Sequence, residues 1–228
     1  TTYIYTLSLH DALPIFRTRR RLFFNEAYLV GKMNHPNILP IYDAGEEGGH
    51  CYVVMEYVRG AKPLTTFCQD QNLLPVRKVV EAVFKCAKAL DYAHRNGLVH
   101  RDIKPGNILF TVEGDVRIVD FGVAQMAGNE ESQIKGLVGS PSYMAPEQMR
   151  HGPATIQTDL YSLGVVMYEL LSGKRPYYGD NLSKLVHQII YATPPPIHRL
   201  RPDVPPVLEV VVSKAIDKDP TKRYQSGM

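Results

Sequence analysis

Apolar positions fall into a few well-separated patterns along the chain. From Arg17 to Met33, Leu22, Ala27 and the Leu29–Val30 pair recur among polar residues with a loose 3.6-residue period, which predicts an amphipathic helix. His35-Pro36-Asn37 ends it, because proline disfavours helix at the residue before it. Ile38–Tyr42 and Cys51–Glu56 are β-rich runs separated by Gly45 and Gly48-Gly49, and they read as a hairpin. Pro75–Arg95 carries one apolar stripe, Val79, Val80, Val83, Phe84, Ala87, Leu90 and Ala93, and predicts a long helix capped by Asn96-Gly97. Short strands follow at Ile108–Phe110 and Val116–Val119, joined by a turn around Glu113-Gly114-Asp115. Thr158–Leu171 is apolar almost all round, so it belongs in a core, and Gly173 and Pro176 stop it. Leu182–Tyr191 and Pro206–Asp217 predict two more helices, with the proline-rich Thr193–Pro206 stretch as a connecting loop.

Composition narrows the classes without choosing among them. The 228 residues, 44% hydrophobic and 21% charged, are an ordinary globular mix, enough for one large domain or two small lobes. A net charge of +3 is too weak to argue for nucleic acid or a membrane surface. Cys51, Cys68 and Cys86 show no metal-ligand spacing and are odd in number, which predicts free thiols in a reducing cytoplasm. No apolar run approaches the roughly 20 residues of a membrane-spanning helix. A longer parent remains free to carry an anchor elsewhere. Internal repeats and low-complexity tracts are absent from the sequence.

The chemistry lies in three short strings. His100-Arg101-Asp102-Ile103-Lys104-Pro105-Gly106-Asn107 comes first, then Asp120-Phe121-Gly122, then Ala145-Pro146-Glu147. Singly, each has a plainer account: an aspartate in a loop is usually a cap or turn residue, and a lysine is usually solvated. In this order, set among strand-like runs, they form the H-R-D…K…N, D-F-G and A-P-E series of protein kinases. From about Arg17 onward the sequence resembles the catalytic domain of a eukaryotic-type serine/threonine protein kinase, of the kind bacteria also carry.

That resemblance implies an α+β, two-lobe fold: a partial β-containing lobe over residues 16–57 and a mostly helical lobe over 58–228 whose last helix is incomplete. It implies transfer of the γ-phosphate of ATP, with Mg²⁺, to serine or threonine hydroxyls of a protein substrate. Asp102 would accept the hydroxyl proton and Lys104 would point at the γ-phosphate; a lysine there marks serine/threonine specificity in the family. Asn107 and Asp120 would hold the two Mg²⁺ ions. Met55 would be the gatekeeper of the inter-lobe hinge, Glu56 and Val58 would bond the adenine through their backbone, and Leu109 would pack beneath it. Glu26 would be the helix carboxylate that holds a strand lysine on the α- and β-phosphates. Arg101 would pair with a phosphorylated loop, for which Val123–Val138 offers Ser132, or else Glu130 and Glu131 as built-in charge. Ser140 would bond Asp102 and Lys104. Gly106 stands where kinases preferring basic substrates often carry an acid, so no arginine-directed motif is expected. Glu147 with Arg223, Asp159 beneath the catalytic loop, and a spine of Val30, Ile41, His100 and Phe121 would be structural.

The front of the chain departs from the family pattern. No G-x-G-x-x-G occurs, and no lysine stands between Thr1 and Gly31. Tyr5–Ile15 instead reads back, codon by codon, as a widely used sequencing-adapter oligonucleotide. A short strand or a targeting peptide are the competing readings; a secretory leader would need a basic start and an unbroken apolar core. Residues 1–15 are therefore set aside from the fold. The hairpin is expected to be left with an open edge, and this polypeptide by itself to be inactive. The rival functions are a pseudokinase acting as a binding module, against which Asp102, Lys104, Asn107 and Asp120 weigh, and a small-molecule kinase. Ser140-Pro141-Ser142-Tyr143-Met144 resembles a peptide-binding segment and favours a protein substrate.

Overall fold

The computed structural model describes residues 24–47, 50–121 and 141–228, together with the backbone of 2–8. The expectations placed on Gly122, Glu130, Glu131, Ser132 and Ser140 lie outside these residues, as does the start of the helix predicted from Arg17.

One helix carries the C-terminal lobe. It spans Ile156–Ser172, and every residue from Thr158 to Ser172 is buried, as its unbroken apolar surface requires. At its start Thr158 Oγ1 accepts the Thr155 N–H at 3.0 Å. At its end Gly173 takes φ +73°, the left-handed cap that favours glycine, and its N–H bonds Glu169 O at 2.8 Å. Gly164 lets a neighbour approach: a Cβ there would stand 2.7 Å from the Ala215 Cβ. That neighbour is the helix Pro206–Ala215. Against the other side lies Val76–Arg95. Its buried residues include Val79, Ala82, Cys86, Ala89, Leu90 and Ala93, so the stripe differs from the predicted one. Val80 and Phe84 are exposed, because the small residues Ala82, Cys86 and Ala89 give the close-packed face.

Two antiparallel sheets complete the frame. We label the strands β1 (Thr2–Ser8), β2 (Ile41–Glu47), β3 (His50–Glu56), β4 (Lys62–Pro63), β5 (Ile108–Phe110) and β6 (Val116–Ile118). The sheet orders are β1-β3-β2 and β4-β5-β6. Three expectations need correction. The first hairpin strand starts at Ile41, while Ile38 instead makes a parallel bridge to Ile118. The 193–206 connection contains a short helix, Ile197–Leu200, entered from Pro196, whose fixed φ suits a helix start. Finally, β3 has no open edge. Residues 2–8 lie antiparallel along it, from Thr2 opposite Glu56 to Ser8 opposite His50. An unpaired edge offers a row of N–H and C=O groups to any segment of β character, and Thr-Tyr-Ile-Tyr-Thr-Leu-Ser is such a segment.

A helix over 24–31, α1, leans on this sheet. Ala27, Leu39, Cys51, Val53 and Met55 form a small core between them, while Val30 and Ile38 join the main core. None of the three cysteines is in a disulfide, and burial pushes the Cys86 thiol up to about 12. Among the described residues no helix is long and apolar enough to cross a membrane.

Candidate active site

The catalytic loop is hung from the buried helix by one carboxylate. Asp159, fully buried, accepts the His100 N–H on Oδ2 and the Arg101 N–H on Oδ1, both at 2.8 Å. His94 Nε2 joins the same Oδ2 at 2.8 Å. His100 is turned by two bonds of its own. The Asp102 N–H donates to its Nδ1 at 3.3 Å, so its Nε2–H donates to Val119 O at 3.0 Å. The His100 ring lies 4.5 Å from the ring of Phe121; Phe121 and Val30 belong to the main core, and Ile41 packs against it.

Held this way, the loop brings Asp102, Lys104 and Asn107 together. Lys104 Nζ donates to Asp102 Oδ2 at 2.6 Å. Asn107 Nδ2 donates to the same Oδ2 at 3.0 Å and to Asp102 O at 2.9 Å. Asp120 arrives from the end of β6. It and Arg101 are two of the three non-glycine residues with positive φ among those described, at +59° and +71°. A left-handed non-glycine residue costs about 1–3 kcal/mol and persists where its surroundings over-determine it. Burial pushes the Asp120 carboxyl up, only partly offset by His100 and Lys104, while the Asp102 charge raises it further.

Beside these residues lies a cavity of about 280 Å³. Met55, Glu56, Val58, Leu109 and Asp120 all contribute to its wall. The Glu56 N–H is given to Pro40 O at 3.1 Å, and Val58 O accepts the Ala61 N–H at 3.2 Å.

Glu26 stands apart. In this chain its partner is Arg101, whose Nη1 donates to Oε1 at 3.2 Å. A buried carboxylate takes the cation within reach, and here that is the loop arginine. The second oxygen, Oε2, is buried and has no hydrogen-bond partner among the described residues. Burial raises the Glu26 carboxyl, with Arg101 only partly offsetting it.

The segment after the undescribed stretch is tied down firmly. Glu147 forms a two-pronged pair with Arg223, Nη1 to Oε1 and Nη2 to Oε2, both 2.8 Å, and Thr158 Oγ1 adds a third bond at 2.9 Å. Burial alone would raise the Glu147 carboxyl, but the Arg223 bonds, its own backbone and Thr158 hold it below the usual range. Tyr143 donates to Glu169 Oε2 at 2.6 Å and Arg175 to Ser142 Oγ at 2.8 Å. Sequence reading missed His94, Glu169 and Arg175. Each works through a partner far along the chain, so no local pattern marks it.

A family model described as a protein kinase domain matches residues 14–226. Named relatives agree. The chain is 41% identical over 211 residues to the serine/threonine-protein kinase PknA of Mycobacterium tuberculosis, covering 90% of this chain and 48% of that protein. It is 37% identical over 212 residues to the serine/threonine-protein kinase PknB of Mycolicibacterium smegmatis, covering 90% and 34%. It is 37% identical over 208 residues to the serine/threonine-protein kinase PrkC of Bacillus subtilis, covering 91% and 32%. The chain thus spans about a third to a half of the length of these relatives.

Proposed function

The chain belongs to the protein kinase domain family, and from that premise we propose that its site serves transfer of the γ-phosphate of ATP to a serine or threonine hydroxyl of a protein. The observation that carries this is the meeting of Asp102, Lys104 and Asn107 within 3.0 Å, beside a cavity walled by Met55, Glu56, Val58, Leu109 and Asp120. Adenine takes the Glu56 carbonyl and the Val58 N–H, the groups not already given to Pro40 and Ala61. Leu109 and Met55 supply the apolar walls. Asp102, oriented by Lys104 and Asn107, accepts the hydroxyl proton, and Lys104 faces the γ-phosphate. The donor set suits a hard cation: an amide oxygen on Asn107 and a half-buried carboxylate on Asp120 whose charge its neighbours leave undercompensated. Among the described residues no cluster of three His, Cys, Asp or Glu could hold a metal, so these two ligands would share the ion with nucleotide phosphates. When bound, Mg²⁺ neutralises phosphate charge. The anchored Ser142–Tyr143 segment offers the acceptor peptide a fixed edge.

Glu26 belongs to the same site through a strand lysine that this chain does not carry. Its pairing with Arg101 and the missing Gly-rich loop support inactivity of the 228-residue polypeptide by itself. We divide the chain into adapter-like residues 1–15, a partial lobe 16–57 and a helical lobe 58–228, working in the cytoplasm. The Glu26–Arg101 pair also favours a second reading, a binding module. The test is a chimaera in which the Gly-rich loop and lysine strand of PknA replace residues 1–15. It should phosphorylate a protein acceptor on serine or threonine, and Asp102→Asn should slow it by about 10²–10⁴. A chimaera that binds Mg-ATP but transfers nothing would favour the binding module, and strong transfer by the original chain would refute its inactivity.

A further inference from the structure

The segment that follows α1 is built onto the strand that delivers Asp120. Ile38 bridges β6 in parallel: the Ile118 N–H donates to Asn37 O at 2.8 Å, and the Leu39 N–H donates to Ile118 O at 2.9 Å. Leu39 packs with Ala27 of α1, and Leu39 and Asp120 both wall the nucleotide cavity. One residue past Ile118, the Val119 N–H donates to Asn107 O at 2.9 Å. The register of β6 therefore fixes Asp120 against Asn107 and against α1. One carboxylate sits at the root of that register. Asp115 Oδ1 accepts Asn37 Nδ2 at 2.9 Å, Lys85 Nζ at 2.9 Å and the Val116 N–H at 2.8 Å. The buried Asn37 gives Nδ2 also to Val116 O at 2.8 Å. Lys85 belongs to the helix Val76–Arg95, so three elements meet at one oxygen. The hairpin itself does not need this side chain. Its strands β5 and β6 pair through their backbones, and the Thr111 N–H closes the turn on Asp115 O at 2.8 Å.

We propose that Asp115 is a positioning residue: through Asn37 it clamps the segment after α1 onto β6, which sets Asp120 against Asn107 and ties α1, with Glu26, to both. Its bonds to Asn37 and Lys85 are charge-assisted and so stronger than neutral ones. Burial alone would raise the Asp115 carboxyl, but Lys85, the Val116 N–H and Asn37 hold it below the usual range, so it stays charged at neutral pH. The part that concerns a bound cation rests on the function proposed above; the clamp does not.

Two measurements test the two parts. Hydrogen exchange of the 228-residue chain, read by peptide mass spectrometry, follows residues 24–33 and 116–121, with the buried helix 156–172 as standard. Asp115→Ala and Asn37→Ala should each speed exchange in both segments by about tenfold and leave the standard unchanged. The double variant should exchange no faster than the faster single one, because both act through one contact. If Asp115→Ala loosens the standard too, Asp115→Asn, which keeps an acceptor oxygen, carries the same comparison. Speeding confined to 116–121, or effects that multiply in the double variant, would overturn the clamp. In the PknA chimaera, Asp115→Ala should raise the Mg²⁺ concentration for half-maximal rate by about tenfold, and by more than it lowers the saturated rate. A lower rate at unchanged Mg²⁺ demand would mean a merely structural role and overturn the positioning. A chimaera that transfers nothing would refute the proposed function and leave the exchange result to decide the clamp.

Discussion

Two pairs of carboxylates separate the frame of this molecule from its working cleft. In the frame, Asp159 and Glu147 are each met by three donor atoms at 2.8–2.9 Å: from His94, His100 and Arg101 for one, and the two guanidinium nitrogens of Arg223 with Thr158 for the other. In the cleft, Glu26 keeps one buried oxygen without a partner among the described residues, and burial raises the Asp120 carboxyl. The same chemical group is saturated where it holds structure and left short of positive charge where a cation or lysine would complete it. Buried charge is tolerated when fully bonded and is costly otherwise.

The frame should break first and hardest. Arg223→Ala would leave the half-buried Glu147 without its fully buried partner and should cost about 3–5 kcal/mol, read from equilibrium urea unfolding. Asp159→Ala leaves two catalytic-loop N–H groups and His94 without their acceptor, a loss of about 2–4 kcal/mol by the same measurement. A change smaller than about 1 kcal/mol in either would mean that the frame does not depend on these carboxylates. The cleft should behave otherwise. Asp120→Asn and Glu26→Gln remove charges whose burial is not fully offset, so neither should destabilise the fold at neutral pH, although both should abolish transfer in the PknA chimaera. Unfolding of either variant at neutral pH would place these residues in the frame instead.

Much of this contrast could be read from the chain, and the reason is local. Asp102, Lys104 and Asn107 fall within six residues, so one tight loop brings them together whatever surrounds it. The buried helix was legible because its apolar surface has no polar face. The shift of the Val76–Arg95 stripe away from Val80 and Phe84 was not, since close packing chose small residues over the more hydrophobic ones. The Arg101 bond to Glu26 was also hidden, because it depends on which cation lies nearest in space. The strand over 2–8 was one of the competing readings and was set aside with residues 1–15. Edge pairing reads backbone and β character, and Thr2–Ser8 supplies both.

The most direct test compares Glu147→Gln and Asp120→Asn by urea unfolding at neutral pH and again near pH 3. The folded-state pKa of Glu147 is depressed, so its stabilisation is complete above the ordinary carboxylate range and is lost as pH falls through the depressed value. That of Asp120 is raised, so its penalty is absent below the ordinary range and appears as pH rises through the raised value. The account predicts opposite signs at neutral pH, a loss for Glu147→Gln and a gain for Asp120→Asn, with both differences shrinking in acid. Equal losses at neutral pH would contradict it, because Asp120 would then be one more carboxylate of the frame.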